Sequence, residues 1–254
     1  RAERLEAVAE LSASLAHEIK NPLASIRSAA ELLAKVPAAD DDTRTLTKLV
    51  QRESDRLSRL LSEFLDFART GVTSVRKVDL VDVARHAAAL VTAHPDKPEN
   101  VRILELFPST PLVVVGDDDL LHRAIFNLLL NAVQASPPGG EVRIEAAELP
   151  FHQLPAQAQR FTRGAMMIQV TDQGKGIADS VREKLFEPFV TTRAGGSGLG
   201  LSIVHRAVEA HHGFILVDSN RKGAAGGTKF TVILPKLGNE GPRKTPRFLA
   251  RSEG

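Results

Sequence analysis

The chain of 254 residues contains no cysteine, which excludes disulfide bonds and thiolate metal sites. It also lacks any apolar run near the roughly 18 residues that a membrane span needs, and it shows no signal peptide. An excess of charge is missing too, because 33 basic and 31 acidic residues give a net charge of +2, which does not indicate a nucleic-acid or membrane-surface partner. Hydrophobic residues make up 43% of the chain, enough for a packed core, and the length suits about two domains. The chain opens inside a helical pattern without a Met, which predicts that an upstream part is absent.

An apolar periodic run over residues 5–33 predicts the first helix, which would extend to about residue 35. Numbered in heptads from the first residue of the run, six of its nine a and d positions are large and apolar, which suits a helix packed along a seam. His17 falls at position f, turned away from that seam, and Asn21 lies one turn further on the same side. Pro22 lies inside the pattern, where it removes a backbone hydrogen bond and favours a bend. A lone surface histidine usually has no chemical role, but these neighbours make His17 a candidate nucleophile.

A second helix is predicted over residues 43–69, with the acidic residues of the turn 36–42 well placed at its N-terminus. Its seam positions are Leu46, Val50, Glu53, Leu57, Leu60, Phe64 and Phe67. Two amphipathic helices joined by a short loop predict an antiparallel hairpin. One hairpin has too little surface to bury both apolar stripes, so pairing with a second copy into a four-helix bundle is predicted. Packing of the hairpin on the rest of its own chain is the alternative.

The organisation changes after the hairpin domain, which is assigned to residues 1–69. Residues 70–75 break the helical pattern and are interpreted as a linker. A mixed α and β pattern over 76–237 then predicts one sheet covered by helices on one face. Within it, residues 149–164 show weak periodicity and are interpreted as a hairpin excursion. Residues 238–254 carry basic side chains among Pro and Gly, and this composition predicts a disordered tail.

A pair of asparagines marks the predicted helix 119–135. Asn127 and Asn131 are four residues apart and therefore share a face of that helix. The surrounding residues are apolar, so this face is expected to be covered, and an amide carbonyl oxygen there suits Mg²⁺. The alternative is a pair of packing asparagines that hydrogen-bond to the backbone.

Asp172 opens an Asp-x-Gly-x-Gly motif that follows a strand ending near Val170. A carboxylate at a strand end can accept a hydrogen bond from an exocyclic amine such as that of adenine. Gly174 and Gly176 would let the backbone approach a flat ring or turn sharply. The same motif also makes ordinary turns, so it is weak evidence by itself.

A glycine-rich loop over residues 195–200 precedes an apolar helix, and a loop of this kind at a helix N-terminus can cradle phosphate. Phe186 and Phe189 stand before it and could anchor a mobile lid, while Arg193 could meet a phosphate tail. The alternative is a surface loop with two core aromatics. Gly226-Gly227-Thr228 could back the same site or make a simple turn.

In this order the five motifs resemble the ATP-binding domain shared by histidine kinases, the gyrase B subunit, Hsp90 and MutL. The segment His17-Glu18-Ile19-Lys20-Asn21-Pro22-Leu23 resembles the phospho-acceptor box of bacterial sensor histidine kinases. This box, together with Phe186-Glu187-Pro188-Phe189-Val190-Thr191-Thr192, is most similar to the nitrogen-regulation type. The resemblance spans about residues 1–67 and 68–236.

The resemblance implies an α+β chain. An antiparallel helical hairpin would form a dimeric four-helix bundle and be followed by an α/β sandwich ATP-binding domain with a mixed sheet. The implied activity is an ATP-dependent protein-histidine kinase that phosphorylates His17, passes the phosphoryl group to an aspartate of a response regulator receiver domain, and also dephosphorylates that regulator. Glu18 would accept the proton of His17, and Asn21 would position a water for removing phosphate.

The implied cofactors are ATP and Mg²⁺. The implied partners are a second copy of the chain and the response regulator, with an upstream sensor domain missing from this fragment and no nucleic acid. The location would be cytoplasmic, in a full-length protein that a membrane anchor could tether. Asn131 would ligate Mg²⁺, Asn127 would support phosphate or metal, and Asp172 would bind adenine. The other nucleotide-binding residues that the resemblance implies are Gly174, Gly176, Arg193, Gly196, Gly198, Leu199, Gly200 and Thr228.

Three features depart from the family pattern. Gln134 stands where many relatives carry a basic residue, His212 stands where a double glycine is common, and the stretch 149–164 looks longer than usual. Two other functions are open. An ATP-gated dimeric clamp would need a catalytic glutamate near the first asparagine, but Arg123 and Ala124 occupy that turn, which argues against it. A nucleotide-binding scaffold without transfer activity is the third hypothesis.

Overall fold

The computed structural model describes residues 19, 21–33, 35, 40–68, 74–193, 196–220, 226–237 and 249–250. The chain divides into two compact units, Arg1–Thr70 and Gly71–Gly254. No helix among the described residues is both long enough and apolar enough to cross a membrane.

The first unit contains the predicted helical hairpin. Its helices are α1, described over 21–33, and α2, Asp41–Ala68. Asp40 begins α2 by accepting a hydrogen bond from the backbone N–H of Thr43 at 2.7 Å, and hydrogen bonds from Thr43 lower the pKa of Asp40. The two acids that follow lie in the first turn of α2, where their negative charges interact favourably with the positive end of the helix dipole.

Among the described residues, the hairpin buries three small or polar side chains and two leucines, and it leaves most of its large apolar side chains exposed. Leu23, Ala30, Thr47, Ser54 and Leu65 are its buried side chains. The exposed apolar side chains of the hairpin are Ile19, Ile26, Leu32, Leu33, Leu46, Leu49, Val50 and Leu57. Three of the predicted seam residues are therefore uncovered within one chain. Exposed apolar surface on this scale is typical of an interface.

The second unit is built on a sheet of five main strands and one short edge strand. The strands are β2 (Arg102–Leu106), β4 (Glu141–Leu149), β5 (Ala165–Thr171), β6 (Phe214–Asn220), β7 (Gly227–Pro235) and β8 (Leu249–Ala250), in the order β2-β4-β5-β7-β6-β8. The β2–β4 and β6–β8 pairs are parallel and the other pairs are antiparallel. The sheet is therefore mixed, as predicted.

The prediction of one sheet was wrong for two strands of four residues each. β1 (Arg76–Asp79) pairs with β3 (Val113–Gly116) as a separate antiparallel sheet. Asp79 connects this small sheet to the helix that follows it, because its Oδ1 accepts hydrogen bonds at 3.0 Å from the backbone N–H groups of Val81 and Leu112. The carboxylate thus caps the next helix and also holds Leu112, the residue that precedes β3.

Three helices cover one face of the large sheet: α3 (Leu80–Thr92), α4 (Asp118–Ala135) and α6 (Gly200–Ala210). Alternate strand residues face them, as expected for a sheet with one buried face. These strand residues are Val142, Ile144, Ala146, Met166, Ile168, Val170, Ile215, Val217, Phe230, Val232 and Leu234. A further short helix, α5 (Asp179–Arg182), was not predicted.

The stretch 149–164 connects the antiparallel strands β4 and β5, and it contains no further strand. It contains two 3₁₀ turns, Phe151–Gln153 and Ala156–Ala158, between β4 and β5. Leu154, Ala158 and Phe161 form a second small core with Ala165, Phe214 and Ile233 of the strands. The excursion therefore covers one end of the sheet face that the helices leave open.

The departure at His212 has a backbone explanation. His212 has a φ of 56°, in the left-handed region, and it lies just after α6. Gly213 N–H bonds to the Val208 carbonyl at 2.8 Å, which closes the helix end. Left-handed φ favours glycine, so His212 takes a conformation that glycine adopts at lower cost.

The end of the chain differs from the predicted disordered tail at two residues. Leu249 and Ala250 pair with Leu216 and Val217 as the edge strand β8. The other residues of the tail lie outside the described residues, and for them disorder stays a prediction.

Candidate functional site

Helix α4 carries the paired asparagines, and its start is fixed by a capping carboxylate. Asp117 accepts a hydrogen bond from the Leu120 N–H at 3.1 Å, and its own N–H donates to Nε2 of the buried His211 at 2.8 Å. Asn127 and Asn131 follow on one face of the helix, as predicted. Asn127 Nδ2 donates to the Arg123 carbonyl at 2.8 Å, which leaves its Oδ1 free for other donors.

Gly200, the first residue of α6, lies close to this asparagine pair. A Cβ built on Gly200 would lie 2.9 Å from Oδ1 of Asn127 and 3.5 Å from Nδ2 of Asn131. A side chain at position 200 would therefore force the Asn127 amide to move. The structure thus brings the glycine-rich loop and the asparagine pair together, although 69 residues separate Asn131 from Gly200 in the sequence.

Asp172 lies at the end of β5 and is 6% exposed. Its Oδ1 accepts hydrogen bonds from the N–H of Gly174 at 2.7 Å and from the N–H of Thr228 at 3.2 Å. Burial raises the pKa of Asp172, and the two N–H donors and the positive charge of Arg193 oppose that rise. Because both backbone hydrogen bonds reach Oδ1, Oδ2 is the oxygen that a ligand amine could use.

Two glycines allow the close approach of backbones around Asp172. A Cβ on Gly174 would lie 2.6 Å from the Ala135 carbonyl oxygen, and a Cβ on Gly227 would lie 2.3 Å from the Asp172 carbonyl oxygen. Gly174 thus brings the Asp172 turn against the last residue of α4. Thr228, predicted as a site residue, therefore lies beside Asp172.

Arg193 reaches the last turn of α4. Its Nη1 donates to Asn131 Oδ1 at 3.1 Å and to Gln134 Oε1 at 2.6 Å, and its Nη2 donates to the Asn131 carbonyl at 2.7 Å. Burial lowers the pKa of Arg193, while Asp172 acts in the opposite direction. Gln134 was noted in the sequence as a departure and not as a site residue. The sequence carries no signal for its contact with Arg193, which lies 59 residues away.

Glycine residues allow the tight turn of the loop that precedes α6. Gly198 has a φ of 71°, and its carbonyl accepts a hydrogen bond from the Phe189 N–H at 3.0 Å. Gly196 lies close to Thr191, since a Cβ there would be 2.8 Å from the threonine hydroxyl oxygen. Leu199 is buried, so it anchors the loop in the core at the point where α6 begins.

Phe189 departs from the predicted pair of lid anchors. It is 64% exposed and has a φ of 67°, whereas Phe186 packs partly buried against the core. A phenylalanine in the left-handed region is a strained residue, and such strain is concentrated at functional sites.

Ser219 belongs to the site but was missed. Its hydroxyl accepts from the Ile177 N–H at 2.8 Å and lies 3.2 Å from the hydroxyl of Thr228. It thereby fixes the turn that contains Gly176, whose φ is 71°. Ser219 reaches the site because it pairs with Thr228 across β6 and β7. No local sequence motif predicts this pairing.

The phospho-acceptor residues belong to the other unit. His17 and Glu18 lie outside the described residues, so their predicted roles stay predictions. Asn21 is exposed on α1, and Pro22 lies within that helix. The predicted bend at Pro22 also stays a prediction.

The described residues hold no group of three or more His, Cys, Asp or Glu side chains that could bind a metal by themselves. A magnesium ion at Asn131 would therefore take most of its oxygen ligands from water or from a bound molecule. That requirement fits a metal that arrives with a polyphosphate, because Mg²⁺ in proteins often takes few protein ligands and several phosphate oxygens. The amide oxygen of Asn131 suits this metal chemically.

Two families match the chain. Residues 116–238 match the family described as "Histidine kinase-, DNA gyrase B-, and HSP90-like ATPase", and residues 7–71 match "His Kinase A (phospho-acceptor) domain". The excursion 149–164 lies inside the first of these matches.

Individual relatives cover most of the chain. "Sensor histidine kinase ZraS" of Escherichia coli O157:H7 is 36% identical over 239 residues, which are 92% of this chain and 48% of that protein. "Sensory histidine kinase/phosphatase NtrB" of Salmonella typhimurium is 36% identical over 231 residues, 90% of this chain and 62% of that protein. The chain thus spans about half the length of the ZraS relatives and somewhat more of NtrB.

A solved structure has a similar fold. The full-length ShkA structure in complex with AMPPNP aligns with a TM-score of 0.65 and 27% identity, covering 89% of this chain and 46% of that one. The alignment includes residues from both units of the chain.

Proposed function

Since the chain belongs to the sensor histidine kinase family, we propose that it is an ATP-dependent protein-histidine kinase of a two-component system. The observation that carries this proposal is the convergence of four separate segments on one end of the second unit. Asp172, Asn131, Arg193 and the glycine-rich loop lie next to one another there. A buried carboxylate, an amide oxygen and a cation are the groups that an adenine, a magnesium ion and a phosphate chain require.

In this proposal each group has a separate task. Asp172 Oδ2 accepts the adenine amine, and the backbone around Gly174 and Gly176 lies against the base. Asn131 holds Mg²⁺, with Asn127 supporting it, and Mg²⁺ neutralises charge on the phosphates when it is bound. The N–H groups of the loop over Gly198 and Gly200, at the start of α6, face the phosphates.

Phosphoryl transfer depends mainly on in-line placement and charge neutralisation. A nitrogen of neutral His17 attacks the γ-phosphorus, a phosphorus–nitrogen bond forms, and the bond to the bridging oxygen breaks so that ADP leaves. Only the neutral imidazole has a ring nitrogen with a lone pair that can attack phosphorus. Glu18 accepts the proton of the other ring nitrogen and so keeps the attacking nitrogen unprotonated.

The same histidine then donates its phosphoryl group to an aspartate of a response regulator receiver domain. Asn21, which is exposed on α1, positions the water that removes phosphate from that regulator, which gives the protein a phosphatase activity as well. The kinase would act in the cytoplasm.

A homodimer is implied by the phospho-acceptor domain. Support comes from the hairpin, where Ile26, Leu33, Leu46 and Leu57 are each 48% exposed or more within one chain. A second hairpin would cover this apolar surface in a four-helix bundle.

Incubation of the full chain with ATP labelled at the γ-phosphate tests the proposal. The expected label is acid-labile and alkali-stable, is lost in His17→Ala, and is kept in the matched control His152→Ala, which changes an exposed histidine of the excursion. Release of phosphate without labelling would favour the ATP-gated clamp. Neither labelling nor release would favour the scaffold, and either result would overturn the kinase.

A further inference from the structure

The last turn of α4 contains no basic residue of its own, although its end carries the negative end of the helix dipole. Three acceptors of this turn instead bind one guanidinium that comes from a different segment: Asn131 Oδ1, the Asn131 carbonyl and Gln134 Oε1 all accept from Arg193. Arg193 therefore supplies the positive charge that the helix lacks.

Gln134 sets where that charge lies. Its bond to Nη1 of Arg193 is the shortest of the three, at 2.6 Å. A basic residue at position 134 would repel the guanidinium from this place, whereas an amide oxygen attracts it. Gln134 and Arg193 thus form a complementary pair, in which the helix supplies the acceptor oxygen and the loop supplies the positive charge.

The Arg193 contact uses the oxygen that the proposed function assigns to the metal. Asn131 Oδ1 cannot keep the guanidinium in the same geometry and also ligate Mg²⁺, because two cations would then share one oxygen at short range. The contact with Gln134 does not conflict with the metal in this way. Arrival of a metal–nucleotide complex would thus release one hydrogen bond of Arg193 and leave the guanidinium beside the phosphates.

We propose that Gln134 is a positioning residue that holds Arg193 on the last turn of α4 in the nucleotide-free protein, and that Arg193 transfers from Asn131 to the nucleotide phosphates on binding. This inference rests on the proposed nucleotide site. It assigns to Gln134 a role in nucleotide binding, and it explains how a chain without the usual basic residue on α4 meets the phosphate charge.

The nucleotide-free state is tested by amide hydrogen exchange of the full chain. The N–H of Val190 bonds to the Glu187 carbonyl at 3.4 Å, and the N–H of Arg193 bonds to the Thr191 hydroxyl at 3.1 Å. Both amides are expected to exchange faster in Arg193→Gln and in Gln134→Leu than in the wild type, because the first variant removes all three guanidinium hydrogen bonds to α4 and the second removes the shortest of them. Unchanged exchange in Gln134→Leu would overturn the positioning role.

Calorimetric titration with Mg²⁺–AMPPNP and with adenosine tests the transfer to phosphate. Arg193→Gln should weaken AMPPNP binding about ten-fold, the effect of one hydrogen bond to a charged group, and should leave adenosine binding unchanged. Arg193→Lys should recover part of the loss. Arg143→Gln is the control, since it removes an exposed arginine whose side chain lies on the opposite face of the sheet from Val142 and Ile144.

Relocating the charge gives the sharpest test. The double variant Gln134→Lys with Arg193→Gln returns the cation to α4 and is expected to bind AMPPNP more tightly than Arg193→Gln alone. No improvement, or equal weakening of adenosine and AMPPNP by Arg193→Gln, would overturn the inference. Failure of the wild type to bind either compound would instead overturn the proposed function, so the two failures are distinguishable.

Discussion

Replacement of Asp172 separates two tasks that this carboxylate performs. Its Oδ1 accepts two backbone N–H groups, from Gly174 at 2.7 Å and from Thr228 at 3.2 Å, whereas its Oδ2 is assigned to the adenine amine. Asp172→Asn keeps an acceptor oxygen for the two N–H groups and replaces the ligand-facing oxygen by an NH₂ donor. Asp172→Ala removes both. The two variants should therefore lose adenine binding alike but differ in stability.

The magnitudes follow from the hydrogen bonds. In Asp172→Ala two buried donors lose their acceptor, and each such loss costs about 1–3 kcal/mol, so we expect a loss of about 2–6 kcal/mol in the free energy of unfolding of this unit. The weakening of adenosine binding should be about 10-fold to 100-fold in both variants, as for a hydrogen bond to a charged group.

The stability of Asp172→Asn depends on the sign of the pKa shift. Burial raises the pKa of Asp172 above its ordinary value of 3.8, so the folded protein binds this proton more tightly than the unfolded chain does. The stability contributed by the group is therefore greatest at low pH and declines as the pH rises from about 3.8 through the folded pKa. Above the folded pKa of Asp172 the wild type bears the full cost of the buried charge. Asp172→Asn does not, so its unit should be at least as stable as the wild type.

Hydrogen exchange at the amide of Ile168, in the buried middle of β5, measures the free energy of unfolding of this unit by itself. Titration calorimetry with adenosine measures binding. Asp218→Asn is the matched control, because Asp218 is exposed on β6 and pairs with Lys229 at 3.4 Å. The reasoning is refuted if Asp172→Asn binds adenosine like the wild type, or if it destabilises the unit as much as Asp172→Ala does.

Three further outcomes are expected. Burial is the main cause of the lowered pKa of His211, so the free energy of unfolding measured with urea should fall as the pH drops below about 6.5. The variant His211→Asn should show a weaker dependence of this free energy on pH. An equal dependence in both proteins would contradict this prediction. Gly227→Ala would place a Cβ 2.3 Å from the Asp172 carbonyl oxygen and should abolish measurable adenosine binding, which calorimetry checks. Leu57→Asp should shift the chain toward monomer in light scattering after size-exclusion chromatography, whereas Leu90→Asp, which also replaces an exposed leucine, should not.

Local signals in the sequence predicted the elements well. The helices predicted over 43–69 and 119–135 agree within two residues at each end with α2 (Asp41–Ala68) and α4 (Asp118–Ala135). The signals for both helices act between residues close in the sequence. The strand pairings did not follow from them, because four-residue strands such as β1 and β3 carry no local signal that names their partner. Asp79 at the end of β1 accepts a hydrogen bond from the N–H of Leu112, 33 residues away, and no motif in the sequence announces this contact.

The candidate site shows the same limit. The motif residues were found because glycine, asparagine and aspartate stand at recognisable spacings. Gln134 and Ser219 were not recognised as site residues, because their partners are Arg193 and Thr228, which belong to other elements. The stretch 149–164 was recognised as unusual, but its burial against Phe214 could not be read from weak periodicity.

The glycines of the site are evidence of a different kind from its charged residues. A Cβ at Gly174, Gly200 or Gly227 would overlap the Ala135 carbonyl, an asparagine amide or the Asp172 carbonyl, at 2.6, 2.9 and 2.3 Å. Each glycine therefore closes one junction between two of the four segments that form the site. A sequence that kept Asp172 and Asn131 but filled these junctions could not bring the carboxylate and the amide to the same place. The motif glycines are thus required by the assembly of the site itself, before any ligand binds, and alanine at position 174 should disturb the free protein as well as its complex.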